Sequence, residues 1–205
     1  MTTARWIDDQ LRRRGIDDER VLAAMARVPR EEFVPDRLRD FAYEDAALPL
    51  EHGQTVSQPF IVAFICQGLA LTGDERVLDV GTGSGYQAAV LAELAAEVHS
   101  IERVAELAES SRRALEGAGY GRVQVHVGDG TLGLPELAPF GGIAVAAATS
   151  EVPPALWSQL EDGHRMVLPL GRRRGQRLSV LEREGREARL VGSLPARFVP
   201  LVEGP

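Results

Sequence analysis

The sequence predicts an α/β protein: a doubly wound, mostly parallel sheet with antiparallel C-terminal edge strands and a helical N-terminal extension. Three observations predict it. From residue 76 onward, short β-rich runs alternate with helical ones, the pattern of successive βαβ units. The first of these runs leads into Gly81-Thr82-Gly83-Ser84-Gly85, three glycines at alternate positions between a strand and a helix. The last two runs, 178–182 and 188–191, are joined by a turn at Gly185, which pairs them antiparallel at one edge. With 205 residues, 44% of them apolar, the chain can bury one sizeable core in one or at most two domains.

The elements follow in order. Val21, Leu22, Met25 and Val28 recur at helical spacing behind Asp17 and Asp18, which can cap, and Pro29 closes the pattern. Residues 30–51 are mixed and broken by prolines; the extended run 46–50 precedes a loop, 52–58, rich in small and polar residues. Pro59 suits the first turn of a helix running 60–71. That helix is apolar nearly all round, with Ile61, Val62, Phe64, Ile65 and Leu69, so it is expected to be buried with Cys66 in the core. Strands are then expected at 76–80, 98–102, 123–127, 143–147 and 165–170, and helices at 86–94, 104–115 and 154–160. No internal repeat or low-complexity linker divides the chain. Residues 1–72 are therefore expected to form an extension carrying a covering loop, packed as one unit on an α/β domain at 73–205.

Composition excludes some chemistry. Every one of the 23 basic residues is Arg, so neither the lysine of a phosphate-binding P-loop nor the amine of a Schiff-base enzyme can be supplied. The single cysteine, Cys66, cannot close an internal disulfide or build a zinc cluster, which fits a reducing compartment. Arg5-Trp6-Ile7-Asp8-Asp9 lacks the basic-then-apolar order of a signal peptide, and no apolar run approaches the ~20 residues of a membrane span, so a cytoplasmic location away from membranes is expected. A net charge of -7 does not suit nucleic acid; Arg12-Arg13-Arg14 and Arg172-Arg173-Arg174 are read as solvated faces, and a monomer is expected. His52, His99, His126 and His164 lack metal-ligand spacing and are read as structural, so no metal is expected.

The informative stretch is 77–86, where a strand turns on Gly81, Gly83 and Gly85 and enters a helix. Glycines permit positive φ and let a ligand approach the backbone at the carboxyl ends of the strands. A dinucleotide fingerprint needs glycine at the position held by Tyr86, so NAD loses ground. Three acids at consecutive strand ends favour a cationic ligand with a single ribose. Asp79 can face an amino group or, through water, a sulfonium-bearing methionine moiety; Glu102 can accept both ribose hydroxyls; Asp129, in Gly128-Asp129-Gly130, can accept from an adenine amino group.

These stretches resemble the class I S-adenosylmethionine-dependent methyltransferases, and within them the protein-L-isoaspartate (D-aspartate) O-methyltransferase family. Beyond the glycine turn, the resemblance is carried by 43–50, by Gly53-Gln54-Thr55-Val56-Ser57-Gln58-Pro59, by 85–92, by Gly128-Asp129-Gly130 and by Arg197-Phe198-Val199-Pro200-Leu201. The 54–59 segment is the family's own signature; the glycine turn narrows only the cofactor. Three features depart from the family pattern. Phe140-Gly141-Gly142 stands where the fourth strand usually opens with Phe-Asp, Ala146-Ala147-Ala148 replaces a threonine-bearing end, and Gly163-His164-Arg165 replaces Gly-Gly-Arg.

The resemblance implies a Rossmann-like methyltransferase sheet and transfer of a methyl group from S-adenosyl-L-methionine to the free carboxylate of L-isoaspartyl residues in damaged proteins and peptides, the first step of their repair through a succinimide. It implies that Gln54, Thr55, Val56, Ser57, Asp79, Gly81, Gly83, Gly85, Glu102, Asp129 and Gly130 hold the cofactor. Thr55 and Ser57 are expected to orient the acceptor, with Ser57 at the family's active-site serine. Ser57 is not expected to be a nucleophile, because the acceptor carboxylate is already anionic; it is also placed to cap the helix beginning near Pro59. Two other readings share these residues: a sibling carboxylate methyltransferase acting on a small molecule or biosynthetic peptide, and a cofactor-binding protein without turnover.

Overall fold

The computed structural model describes residues 3–172 and 175–204. It opens with α1 (Thr3–Gln10), within the helical extension expected from the sequence, although the sequence sets no bounds for it. Trp6, Ile7 and Leu11 bury against the rest of the N-terminal segment. The next helix, α2 (Glu19–Arg27), is capped as expected: Asp18 accepts from the amides of Arg20 and Val21, a contact typically worth about 1 kcal/mol. The Arg12-Arg13-Arg14 face is ion-paired, to Asp8 and Glu19, to Asp9, and to Asp45.

Of the expected extended run 46–50 only β1 (Leu48–Pro49) is a strand, pairing antiparallel with β2 (Thr55–Val56). Between them the chain reverses through residues 51–53, with His52 at φ 56°. The helix that follows, α3 (Pro59–Leu69), stops two residues before the expected end because Ala70 adopts a left-handed conformation, φ 53°. Gln67 of α3 accepts from the amides of Asp17 and Asp18 and donates to Gly15 O, which fastens α3 to the entry of α2.

Seven strands form the main sheet, in the order β5-β4-β3-β6-β7-β8-β9. They are β3 (Arg76–Val80), β4 (Glu97–Glu102), β5 (Gln124–Val127), β6 (Gly142–Val145), β7 (Arg165–Leu170), β8 (Arg177–Glu184) and β9 (Glu187–Pro195). The first five pair in parallel; β8 and β9 add antiparallel, joined through Gly185 at φ 64°. The helices α4 (Tyr86–Ala92), α5 (Ala105–Gly117) and α6 (Pro154–Gln159) lie at or within two residues of their expected bounds. Because successive strands leave β3 in opposite directions, to β4 and to β6, a crevice opens above its carboxyl end.

The period-2 alternation of the strands divides the core in two. On one face Val77, Ala144, Val167 and Val180 join a continuous apolar cluster with Leu11, Met25 and Ile65 from the first three helices. On the other, Leu78, Val80, Ile143, Val145 and Met166 pack on Leu156 of α6. Arg30, fully buried, ties the N-terminal segment to α4: its Nε donates to Ala42 O at 2.7 Å and its guanidinium lies 4.6 Å over the Tyr86 ring. The Gly141 departure has a packing reason. A Cβ there would meet Glu75 Cγ at 2.8 Å, and Glu75 is the carboxylate that accepts from the amides of Thr72 and Gly73 ahead of β3.

Candidate active site

The crevice is a cavity of about 1200 Å³ at the carboxyl ends of β3, β4 and β6. One wall is the glycine turn. Gly81, at φ 94°, donates its amide to Ile101 O at 2.9 Å, and Gly83, at φ 54°, donates to Glu102 Oε2 at 3.0 Å. Positive φ at both is a conformation that a side chain would strain. Glu102 accepts a second amide, from Val104 at 3.0 Å, on Oε1. Its carboxylate is thus fixed at the cavity wall by two backbone donors, each oxygen keeping a lone pair for a ligand.

The opposite cover is the loop 54–57. Gln54, Thr55, Val56 and Ser57 all line the cavity, and a Cβ on Gly83 would lie 4.0 Å from Thr55 O, so the loop and the glycine turn meet across the mouth. The expected cap is absent: Gln58 is the N-cap residue of α3 and no side chain caps it, so Ser57 accepts nothing from the helix amides. Ser57 lines the cavity instead. Gly130 completes the floor; a Cβ there would meet Val80 Cγ1 at 2.8 Å.

Three expected cofactor residues lie behind the lining. Asp79, fully buried, accepts from Gln87 Nε2 on Oδ1 and from Ser100 Oγ on Oδ2, both at 2.7 Å, and Ser100 in turn contacts Thr82 Oγ1 at 2.6 Å. Burial pushes its carboxyl up to about 6, against the pull of the Ser100 and Gln87 bonds; nearby Glu102 adds to the rise. Asp79 does not itself line the cavity; both of its oxygens are engaged by protein donors, one of them the cavity-lining Gln87, so it supports the residues beneath the glycine turn. Gly85 is the N-cap of α4, where a Cβ would sit 3.2 Å from Leu115 Cγ; it sets the packing of α4 on α5. Asp129 turns toward the C-terminal segment, accepting from Thr131 N on Oδ1 and from Gly204 N on Oδ2, each at 2.8 Å. Burial opposes its ionisation, but these bonds and nearby Arg103 hold its carboxyl below the ordinary range.

The structure adds residues that sequence reasoning missed. Gln87 lines the cavity, and its Oε1 is buried with no protein partner. The available signal was a single amide in the first turn of the otherwise apolar α4. On the acceptor side, the departing segment Ala146–Thr149 still forms a wall, held through its backbone: Ala148 N donates to Val199 O and receives Leu201 N at its own carbonyl, both at 2.7 Å. Arg172 is exposed, as its reading as part of a solvated face has it, and also borders the cavity; Arg173 and Arg174 lie outside the described residues. His99 is buried between Glu97 Oε1 at 2.9 Å and His126 Nε2 at 3.1 Å, a structural setting. Among the described residues no cluster of His, Cys, Asp and Glu could hold a metal ion.

The residues present fit an S-adenosyl group. A cradle that side chains would fill, at Gly81, Gly83 and Gly130, admits close approach; a fixed carboxylate, Glu102, suits a ribose; and the orphaned Gln87 Oε1 is an acceptor awaiting a donor.

Comparison with known proteins agrees. The family model described as Protein-L-isoaspartate(D-aspartate) O-methyltransferase matches residues 3–205. The chain is 54% identical over 195 residues to Protein-L-isoaspartate O-methyltransferase 2 of Marinobacter nauticus, covering 94% of this chain and 89% of that one. It is 50% identical over 196 residues to a protein-L-isoaspartate O-methyltransferase of Roseiflexus sp., covering 96% and 90%. A solved protein-L-isoaspartate O-methyltransferase superposes with a TM-score of 0.83 at 28% identity, over 97% of this chain and 65% of that chain. The fold is also that of a Plasmodium falciparum structure described as a beta-aspartate methyltransferase in complex with S-adenosyl-L-homocysteine, at a TM-score of 0.82 and 24% identity over 98% and 99% of the two chains. A match over nearly every residue, with a glycine turn, the Glu102 carboxylate and the 54–57 loop meeting in one crevice, places this chain in the protein-L-isoaspartate(D-aspartate) O-methyltransferase family.

Proposed function

We propose that this chain methylates the free carboxylate of L-isoaspartyl residues in damaged proteins and peptides, using S-adenosyl-L-methionine. The observation that carries the reading is the meeting of the 54–57 loop with the glycine turn over one cavity: the segment characteristic of the acceptor chemistry covers the segment that suits the cofactor. When bound, the cofactor supplies an electrophilic methyl group on a sulfonium.

The chain's own residues bind, orient and exclude water. Glu102 accepts from the ribose hydroxyls, the backbone at Gly81 and Gly83 lies against the ligand, and Gln54 and Val56 close over it. Asp79 and Asp129 act from behind, the first by holding Gln87 and Ser100, the second by fastening the C-terminal segment at Gly204. Gly85 holds α4 against α5. Thr55 and Ser57 donate hydroxyl protons to the acceptor carboxylate and so fix which oxygen points at the methyl group. No general base is required, because the carboxylate is ionised at neutral pH. Positioning in a site closed to water therefore supplies most of the rate enhancement. The product ester is poised to close to a succinimide by attack of the following backbone nitrogen with loss of methanol; water then reopens the ring.

Residues 1–72 act as the cover and 73–205 as the binding domain of one unit. A reducing compartment is supported by the lone, buried, free Cys66. The test is methyl transfer from labelled cofactor to paired peptides carrying isoaspartate or aspartate at one position. Base-labile label in the isoaspartyl peptide alone is expected; label in neither, with cofactor bound, overturns the reading.

A further inference from the structure

The cavity carries a charge opposite to that of the chain. The chain's net charge is -7, yet the residues lining the cavity include three arginines, Arg103, Arg172 and Arg197, against one acid, Glu102. Glu102 already accepts two amides, and Arg103 Nε is spent on Gly204 O at 3.1 Å. Arg172 and Arg197 are different. Most arginines here are ion-paired or donate to a carbonyl, as Arg12, Arg14, Arg112 and Arg183 do, whereas among the described residues no acceptor holds either of these exposed guanidinium groups.

Residues beside them in the chain are nonetheless fixed. Gln176 brackets Arg197: its carbonyl accepts from Ala196 N at 3.1 Å and its Oε1 accepts from Phe198 N at 2.7 Å. Arg172 follows Gly171, whose amide donates to Thr149 O at 2.9 Å. The pair also sits on the far side of the crevice from Glu102. Arg172 follows β7 and Glu102 ends β4, three strand spacings apart in the order β4-β3-β6-β7, or ~14 Å. The two cations thus lie beside the acceptor wall rather than the ribose end.

We propose that Arg172 and Arg197 set acceptor choice, making isoaspartyl sites embedded among acidic residues the preferred substrates. The physical reason is the conflict of charges. An acidic peptide is repelled by the chain as a whole, and two cations at the mouth, without an ion-pair partner among the described residues, reverse the local field where the peptide must enter. Their freedom from protein partners means that the peptide's carboxylates need displace no ion pair.

The inference rests on the isoaspartyl reading above, and the test separates the two. Methyl transfer is measured on three isoaspartyl peptides identical except for flanking Glu, Gln or Arg, at low and high salt. The wild-type kcat/KM is expected to favour the Glu peptide over the Gln peptide about tenfold at low salt, and to lose that margin in high salt, as a screened charge effect must. The Arg172→Gln, Arg197→Gln double variant is expected to lose the margin through a raised KM for the Glu peptide. Arg186→Gln, which removes one positive charge at the exposed β8–β9 turn, is expected to keep it. Equal kcat/KM for the Glu and Gln peptides in the wild type, a margin that survives in the double variant, or a change confined to the KM for cofactor overturns the assignment. Transfer to none of the three peptides overturns the isoaspartyl reading and the assignment with it.

Discussion

Gln87 Nε2 donates to Asp79 Oδ1 across 2.7 Å, joining the first turn of α4 to the carboxyl end of β3 beneath the glycine turn. The same carboxylate takes Ser100 Oγ from β4, so one buried acid holds three elements that converge on the cavity, while Gln87 Oε1 stays buried without a hydrogen-bond partner among the described residues.

This arrangement makes stability depend on pH in a definite sense. Burial raises the Asp79 carboxyl to about 6 in the folded chain, above its ordinary value near 4. The folded state therefore binds more protons than the unfolded state in this interval; the favourable contribution is complete below about pH 4 and is lost as pH rises through about 6. Asp79→Asn removes the titration. Urea unfolding at pH 5 and pH 7.5 is expected to show the variant gaining on the wild type at the higher pH, by roughly 1–3 kcal/mol in the difference. An unchanged difference would mean that the buried carboxyl titrates in its ordinary range.

Glu102→Gln keeps the shape of the side chain but removes its charge and leaves one amide, of Gly83 or Val104, facing an NH₂ group. Loss of a charged hydrogen bond costs about 1.5–3 kcal/mol, so cofactor affinity is expected to fall roughly 10- to 100-fold. Titration calorimetry with S-adenosyl-L-homocysteine measures it; wild-type affinity would remove Glu102 from the ribose site.

Ser57 caps no helix, so Ser57→Ala should leave the melting temperature nearly unmoved. Turnover on an isoaspartyl peptide is expected to drop at least tenfold while affinity for the cofactor is nearly kept, the pattern of an orienting group. Wild-type kcat with a lowered melting temperature would assign the hydroxyl to structure alone.

Gly130→Ala places a methyl 2.8 Å from Val80 Cγ1 at the cavity floor. Overpacking of this kind costs about 1–3 kcal/mol, and here the relief lies in pushing β3 or the floor loop into the ligand's space. Both thermal stability and cofactor affinity are expected to fall; a variant as stable and as tight-binding as the wild type would show that the floor yields freely.

Much of this was legible in the sequence because it depends on local rules. Alternating β-rich and helical runs dictate parallel βαβ units, the three glycines dictate a turn with positive φ, and the strand-end position of Glu102 follows from counting along β4. Gln54-Thr55-Val56-Ser57 was recognisable as a segment, as was the C-terminal stretch from Arg197. Side-chain direction was not. Whether Asp79 faces the ligand or the core depends on which partners, Gln87 from the next helix and Ser100 from the next strand, arrive behind it. The Ser57 hydroxyl was freed by the placement of the α3 cap at Gln58, and Asp129 was drawn to Gly204, 75 residues along the chain. Arg172 and Arg197 meet at one cavity only because β7 and the C-terminal segment both end beside β6. Period and propensity act within a few residues and so determine the elements and the glycine turn; contacts between distant residues are decided by packing and hydrogen-bond satisfaction, which exist only once the sheet has assembled.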